Sequence, residues 1–272
     1  RRCGVDRLAG ERGACRVGRR AVVASAGPHF GEERPLVGDR GSGTVFFAGC
    51  NLGCVFCQNH DISHRARGRE VSDRELGELL LELAAAGVAN INLVTPSHVA
   101  PQILRGLAAA FDAGLDLPIV WNSGGYDAAD VIDAFDGAID IYMPDLKTLS
   151  AHRAARLLGA ADYPAVARRA LSRMHAQVGD LRVDDRGLAT GGLLVRHLVL
   201  PGDADGADTF AVARFLASLG RDTYVNLMDQ YRPCHAALGD GELARVPTSA
   251  ELRAARAAAE RAGLCRFDPG GL

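Results

Sequence analysis

The sequence predicts an α/β protein built as an open, partial (β/α)6 barrel of the TIM-like type, and three observations predict it. Six short runs are apolar almost throughout instead of alternating, the pattern of parallel strands covered on both faces. Helical periodicity or a helix start signal follows each run, so strand and helix alternate along most of the chain. Polar and reactive residues collect just after the strands, at the rim where a parallel barrel carries its function.

The first strand is read at Thr44–Cys50, TVFFAGC, from its β-branched and aromatic content. A capping box, Ser72 with Glu75, starts the next helix; Leu76, Leu79, Leu80 and Leu83 share one face, and Gly87 ends it. Asn90–Pro96 is the second strand, with a helix from His98 to Asp112. The third strand lies in PIVWNSGG, before a short helix in AADVIDAF. AIDIYMPDLK is the fourth, followed by a helical region from Ser150 to Val178 that Pro164 interrupts. A small hairpin at Arg182–Ala189 precedes the fifth strand, LLVRHLVLPG, whose helix covers DTFAVARFLASLG. TYVNLMDQYRP is the sixth strand, and a second capping box, Thr248 with Glu251, opens the last helix. Residues 1–43, polar and rich in Gly and Arg, are expected to pack on the barrel, which occupies residues 44–272 as one domain.

Composition narrows the function. The 272 residues are 48% hydrophobic, enough for one substantial core, and 31 basic against 33 acidic side chains give a net charge of −2. That balance gives no support for nucleic acid or an anionic membrane as the main partner. No apolar run approaches a bilayer span and no signal peptide is read. Seven cysteines in so long a chain do not make a disulfide scaffold; reduced thiols and a cytoplasmic location are expected.

Three of those seven, Cys50, Cys54 and Cys57, fall within eight positions as C-x3-C-x2-C. A structural zinc site closes its shell with four protein ligands, usually in two distant pairs, and no second C-x2-C is present. A [4Fe–4S] cluster normally takes four thiolates; three leave one iron open to a small molecule. The triad is therefore read as a cluster cage.

This spacing at a barrel rim resembles the radical S-adenosylmethionine (radical SAM) superfamily. The resemblance implies a [4Fe–4S] cluster on the three cysteines, whose open iron chelates S-adenosylmethionine. Reductive cleavage would yield methionine and a 5′-deoxyadenosyl radical that abstracts hydrogen from substrate. It also places the aromatic Phe56 near the adenine. More specifically, GSGTVFFAGCNLGCVFCQN, VTPSHVAPQI, WNSGGYD, DIYMPDLK, RHLVLPG and NLMDQYRP resemble the pyruvate formate-lyase activating-enzyme-like proteins, from His29 to Asp268. Thr95-Pro96-Ser97 stands where activases carry Gly-Gly-Glu, so hydroxyls and carbonyls of Thr95 and Ser97 would have to receive the cofactor's amino group. Asn122, Ser123, Asp145, Lys147, Arg196, Asn226 and Gln230 are the other cofactor contacts the resemblance implies. It further implies an electron donor such as flavodoxin or ferredoxin. The substrate is a glycine of a partner protein, or else a small molecule or peptide. A non-catalytic iron–sulfur or zinc redox sensor is the rival reading from another class.

Other residues carry weaker signals. Of Arg196 and His197, which interrupt an apolar strand, one should point into the barrel, and the motif favours Arg196. Asp229 and Tyr231 are further candidates for adenine or substrate. His98 is read as a polar residue at a helix start rather than an acid or base. His29, Glu32 and Glu33 are read as an exposed loop rather than a metal site. Cys3 and Cys15 are free thiols or the remnant of a second metal site. Cys234 is read as a partly buried free thiol near the rim, and Cys265 as inert.

Overall fold

Strand and helix alternate as the pattern requires. A computed structural model describes residues 3–272. In chain order the elements begin with β1 (Ala21–His29), α1 (Arg34–Val37), β2 (Ser42–Phe47), α2 (His60–Ser63), β3 (Arg69–Val71), α3 (Asp73–Ala85) and β4 (Ile91–Val94). They continue with α4 (Ala100–Asp112), β5 (Ile119–Ser123), α5 (Ala129–Ala134), β6 (Ile141–Pro144), α6 (Ala151–Leu158) and α7 (Tyr163–Val178). The last are β7 (Arg182–Val183), β8 (Ala189–Leu198), α8 (Ala207–Leu219), β9 (Tyr224–Met228) and α9 (Ser249–Arg261).

The six expected strands are β2, β4, β5, β6, β8 and β9, paired in that order and all parallel. Beyond β2 the sheet continues through antiparallel β1 and then β3, so it ends in two edges and does not close. The free side of β9 is covered by the chain's own end, through a Val225–Phe267 bridge and a bond from Leu272 N to Leu227 O. Strand β1 lies inside the N-terminal segment, so part of that segment belongs to the sheet. Strand β7 folds back on β8 as the expected hairpin. No described helix is long and apolar enough to cross a membrane.

Both capping boxes form as the sequence spells them, Ser72 with Glu75 and Thr248 with Glu251. The helical region after β6 differs from expectation. Gly159, in the left-handed conformation, caps α6, and Pro164 sits in the first turn of α7, where its missing N–H costs nothing. The proline starts a helix instead of interrupting one.

The main core lies between sheet and helices, around Leu76, Leu80, Ile103, Leu107, Trp121 and Leu171. A second cluster fills the barrel floor: Val120, Ile141, Met143, Leu194 and Tyr224 point inward, and Leu36 of α1 plugs them from below. Above that apolar floor the interior becomes polar, and there the candidate site begins.

Candidate active site

The loop after β2 carries the cysteines and is shaped by its backbone. Gly49 has φ +83, and an added Cβ would lie 2.4 Å from Cys15 O, so only glycine fits the start of the loop. Main-chain bonds then pin it: Gly49 N to Ile62 O, Gly53 N to Leu158 O at 3.1 Å, Val55 N to Leu157 O at 2.9 Å, and Ala237 N to Val55 O. Asn51 adds a side-chain bond from Nδ2 to Tyr126 O at 2.7 Å. Cys50, Cys54 and Cys57 all line one cavity of about 280 Å3 at the C-terminal ends of the strands.

The opposite wall comes from β5, β6 and β8. Arg196 donates from Nε to Asp145 Oδ1 at 2.7 Å and from Nη2 to Asn122 Oδ1 at 2.7 Å. Lys147 Nζ donates to the other carboxylate oxygen of Asp145 at 2.7 Å. Burial alone would push Asp145 up, but Arg196 and Lys147 outweigh it and hold the carboxyl at about 2. Burial opposes the charge on Lys147 and Arg196 too, and Asp145 reverses this, raising both above their ordinary values. The wall is thus fully ionised at neutral pH.

Behind this wall stands Tyr163, fully buried at the start of α7. Its hydroxyl donates toward Gly124 O and Asp145 O, at 3.0 and 2.8 Å, and accepts from Lys147 N at 3.0 Å. It clamps the ends of β5 and β6 together. Gly125, at φ +72, is required there, because an added Cβ would lie 2.6 Å from Asp145 O. Ser123 Oγ donates to buried Asp127 at 2.6 Å and accepts from Gly125 N, so its hydroxyl serves this turn.

Of the sequence-predicted residues, Phe56, Thr95, Asn122, Ser123 and Gln230 reach the cavity with the three cysteines. Asp145, Lys147 and Arg196 do so as well. Two do not. Ser97 lies past the turn that starts α4 and faces a smaller recess with Cys15 and His98. Asn226 pairs in register with Arg196, but its Nδ2 donates to Glu33 Oε1 at 2.8 Å and it does not line the cavity. Asp229 is exposed, and Tyr231 is buried behind Phe56 with its hydroxyl on Leu243 O.

The expectation of an exposed loop at Glu32 and Glu33 is overturned. The Glu32 side chain is 7% exposed and lies 3.4 Å from Arg196 Nη1, with Asn92 Nδ2 donating to it at 3.0 Å. Burial raises its pKa, with Arg196 opposing. Glu33 is likewise buried. His98 is buried, and its Nε2 donates to Ala48 O at 2.9 Å. His197 is bonded to Leu146 O and Thr209, outside the cavity. Cys234 Sγ donates to Phe56 O. Apolar side chains within the quoted motifs, not singled out as site residues, complete the cavity: Phe46, Val94, Leu198 and Met228.

A family model, the radical SAM superfamily, matches residues 44–181. The chain belongs to the radical SAM superfamily. This radical SAM chain is 30% identical over 270 residues to the uncharacterized protein MJ0674 of Methanocaldococcus jannaschii, covering 97% of this chain and 73% of the relative. Among solved structures it is similar to SuiB of Streptococcus suis bound to the precursor peptide SuiA, with a TM-score of 0.54 and 13% identity. That match covers 80% of this chain and 46% of SuiB, so the chain spans just under half of SuiB's length. SuiB alone gives a TM-score of 0.52 at 12% identity. At such identity the likeness concerns the fold, an α/β domain with an open sheet.

The family generally binds a [4Fe–4S] cluster and S-adenosylmethionine, and the donor set here fits them. Burial pushes the Cys50 and Cys54 thiols up to about 11 and about 12, so neutral thiols are the stable free form and a thiolate there needs a cationic partner. Three thiols facing one cavity, with Lys147 beside them, make a donor set that fits a cluster keeping one position for a second ligand.

Proposed function

We propose that this radical SAM enzyme holds a [4Fe–4S] cluster on Cys50, Cys54 and Cys57 and uses it to cleave S-adenosylmethionine reductively and abstract hydrogen from a substrate. One observation carries the reading: the three thiols share a single cavity with the charged wall of Asp145, Lys147 and Arg196. When bound, cluster and cofactor supply one-electron cleavage of a carbon–sulfur bond and hydrogen-atom abstraction.

The residues divide the remaining work. Lys147 offers charge-assisted hydrogen bonds to a carboxylate, and Asp145 keeps it in place. Phe56, held from behind by Tyr231 at 6.3 Å between ring centroids, offers a flat apolar face for a purine. Thr95 presents a hydroxyl at the end of β4, while Ser97 turns away. Phe46, Val94, Leu198 and Met228 keep water from the reacting centre. The finer reading, an activase-like reaction on a partner glycine, is supported by the motifs at the strand ends. Thr95-Pro96-Ser97, which supplies no carboxylate, supports the alternative of a small molecule or peptide.

The test is 5′-deoxyadenosine formation by anaerobically reconstituted protein given dithionite and S-adenosylmethionine. Product is expected from the native chain and none from Cys54→Ala. A full, reducible cluster that gives no product with the native chain sinks the reading in favour of a redox sensor.

A further inference from the structure

The surface beside the cysteine loop has a charge unlike the rest of the molecule. Residues 11–20 and 60–70 form one face: Arg12 lies 3.9 Å from Glu70, β1 pairs with β3 across it, and Gly49 packs between Cys15 O and the bond from its own N to Ile62 O. The two segments carry seven arginines and three carboxylates, all exposed. The whole chain has 31 basic and 33 acidic residues, so taking away seven and three leaves 24 against 30 elsewhere. A basic face stands on an otherwise acidic body.

Part of this charge is already used. Arg12 pairs with Glu70, Arg65 with Asp61 and Arg69 with Glu75. Arg16, Arg19, Arg20 and Arg67 have no carboxylate partner among the described residues. The face also lies close to the cluster ligands. Its helix α2 starts directly after the loop, with His60 N bonded to Cys57 O and Ser63 Oγ 3.2 Å from Cys57 Sγ. Gln58 and Asn59, between Cys57 and that helix, are exposed. The cavity, which the proposed function fills with cofactor and substrate, borders this face along Gln58, Asn59, Ile62 and Ser63. A protein reductant therefore has its short approach to the sulfurs from the arginine side.

We propose that this face is the docking surface for an acidic one-electron carrier protein, with Arg16, Arg19, Arg20 and Arg67 as its free charges. The inference rests on the radical SAM reading above. In the step itself the carrier is oxidised by one electron and the cluster reduced by one; no bond forms and no proton moves. Such encounters are small, polar and short-lived, and complementary charge governs their rate and orientation. The acidic remainder of the surface repels the same carrier, which adds to the selection of this face.

The experiment compares two electron sources on the reconstituted protein, dithionite and a reduced flavodoxin, reading initial 5′-deoxyadenosine formation. The variants are a fourfold Arg→Glu change at positions 16, 19, 20 and 67, and the milder fourfold Arg→Gln. Dithionite-driven product is expected to stay within about twofold of the native chain in both, showing that fold and cluster are intact. Flavodoxin-driven product is expected to fall at least about tenfold in the Glu variant and less in the Gln variant. Raising salt from about 0.05 to 0.5 M should slow the native flavodoxin reaction steeply and the Glu variant hardly at all. An unchanged flavodoxin rate in either variant overturns the proposal. So does a native protein that responds to dithionite but to neither flavodoxin nor an acidic ferredoxin. A native protein inert even with dithionite and a reducible cluster fails the radical reading instead, and this proposal falls with it.

Discussion

On one side of the cavity, residues 49–59 are held by main chain: carbonyls of Ile62, Leu157 and Leu158 take the loop's N–H groups, and the thiols of Cys50 and Cys54 are buried. On the other side, Asp145, Lys147, Arg196, Asn122 and Glu32 hold one another through their side chains. The first arrangement leaves its thiols free for ligation without risk to the fold, because backbone bonds do the holding. The second arrangement makes each charge depend on the others, since a buried ion without its partner is costly. Substitution should therefore act on function on the sulfur side, and on folding as well as function on the charged side.

The sharpest test is Arg196→Ala. It leaves the carboxylate of Asp145 with Lys147 alone and removes the guanidinium that faces Glu32. Removing one partner of a buried pair costs about 3–5 kcal/mol. Urea unfolding of the protein should show a loss of that order, and a loss below about 1 kcal/mol would break the distinction between the two sides.

Lys147→Ala tests where the two sides meet. Lys147 Nζ bonds Asp145 and also lies 6.0 Å from the centre of the Phe56 ring in the cysteine loop. Asp145 keeps Arg196 in this variant and Glu32 loses nothing, so the folding loss should be smaller than in Arg196→Ala and bound iron should be retained. A charge-assisted hydrogen bond is worth about 1.5–3 kcal/mol, so the KM for S-adenosylmethionine should rise about tenfold or more. Loss of iron along with affinity would mean that the lysine supports the loop itself and that the two sides are one unit.

How far each side could be read from sequence follows the same division. The sulfur side is local: three cysteines within eight positions after an apolar run, with glycines where the backbone turns. The six parallel strands were equally plain, because strands buried on both faces are continuously apolar. The charged side is assembled from distant parts. Glu32 meets Arg196 across 164 positions, and Glu33 meets Asn226 across 193. Two carboxylates between Gly31 and Pro35 look exposed until their partners are known. Tyr163 was hidden for a related reason: a helical region from Ser150 interrupted at Pro164 gives its hydroxyl no special place, and only the Gly159 turn brings it under the ends of β5 and β6. Ser97 and Asn226 were misplaced because motif position fixes a residue's strand end, not the partner or recess its side chain reaches.

The smallest expected effect belongs to the sulfur side and depends on pH. His98 donates from Nε2 to Ala48 O at the foot of the loop, and its buried Nδ1 has no partner, so the ring is neutral. Burial lowers its pKa from the ordinary 6.5 to about 4. Between those values the unfolded chain takes up a proton that the folded chain refuses, so stability falls as the pH drops below 6.5, and the whole loss is reached below about 4. From pH 7 to pH 5.5 this one group should remove about 1 kcal/mol. His98→Gln keeps an amide donor for Ala48 O and has nothing to titrate, so its stability should fall less over the same interval, by that amount. Parallel pH profiles for the two proteins would show that the ring can take a proton in place, and that the loop's foot is more open to solvent than its packing implies.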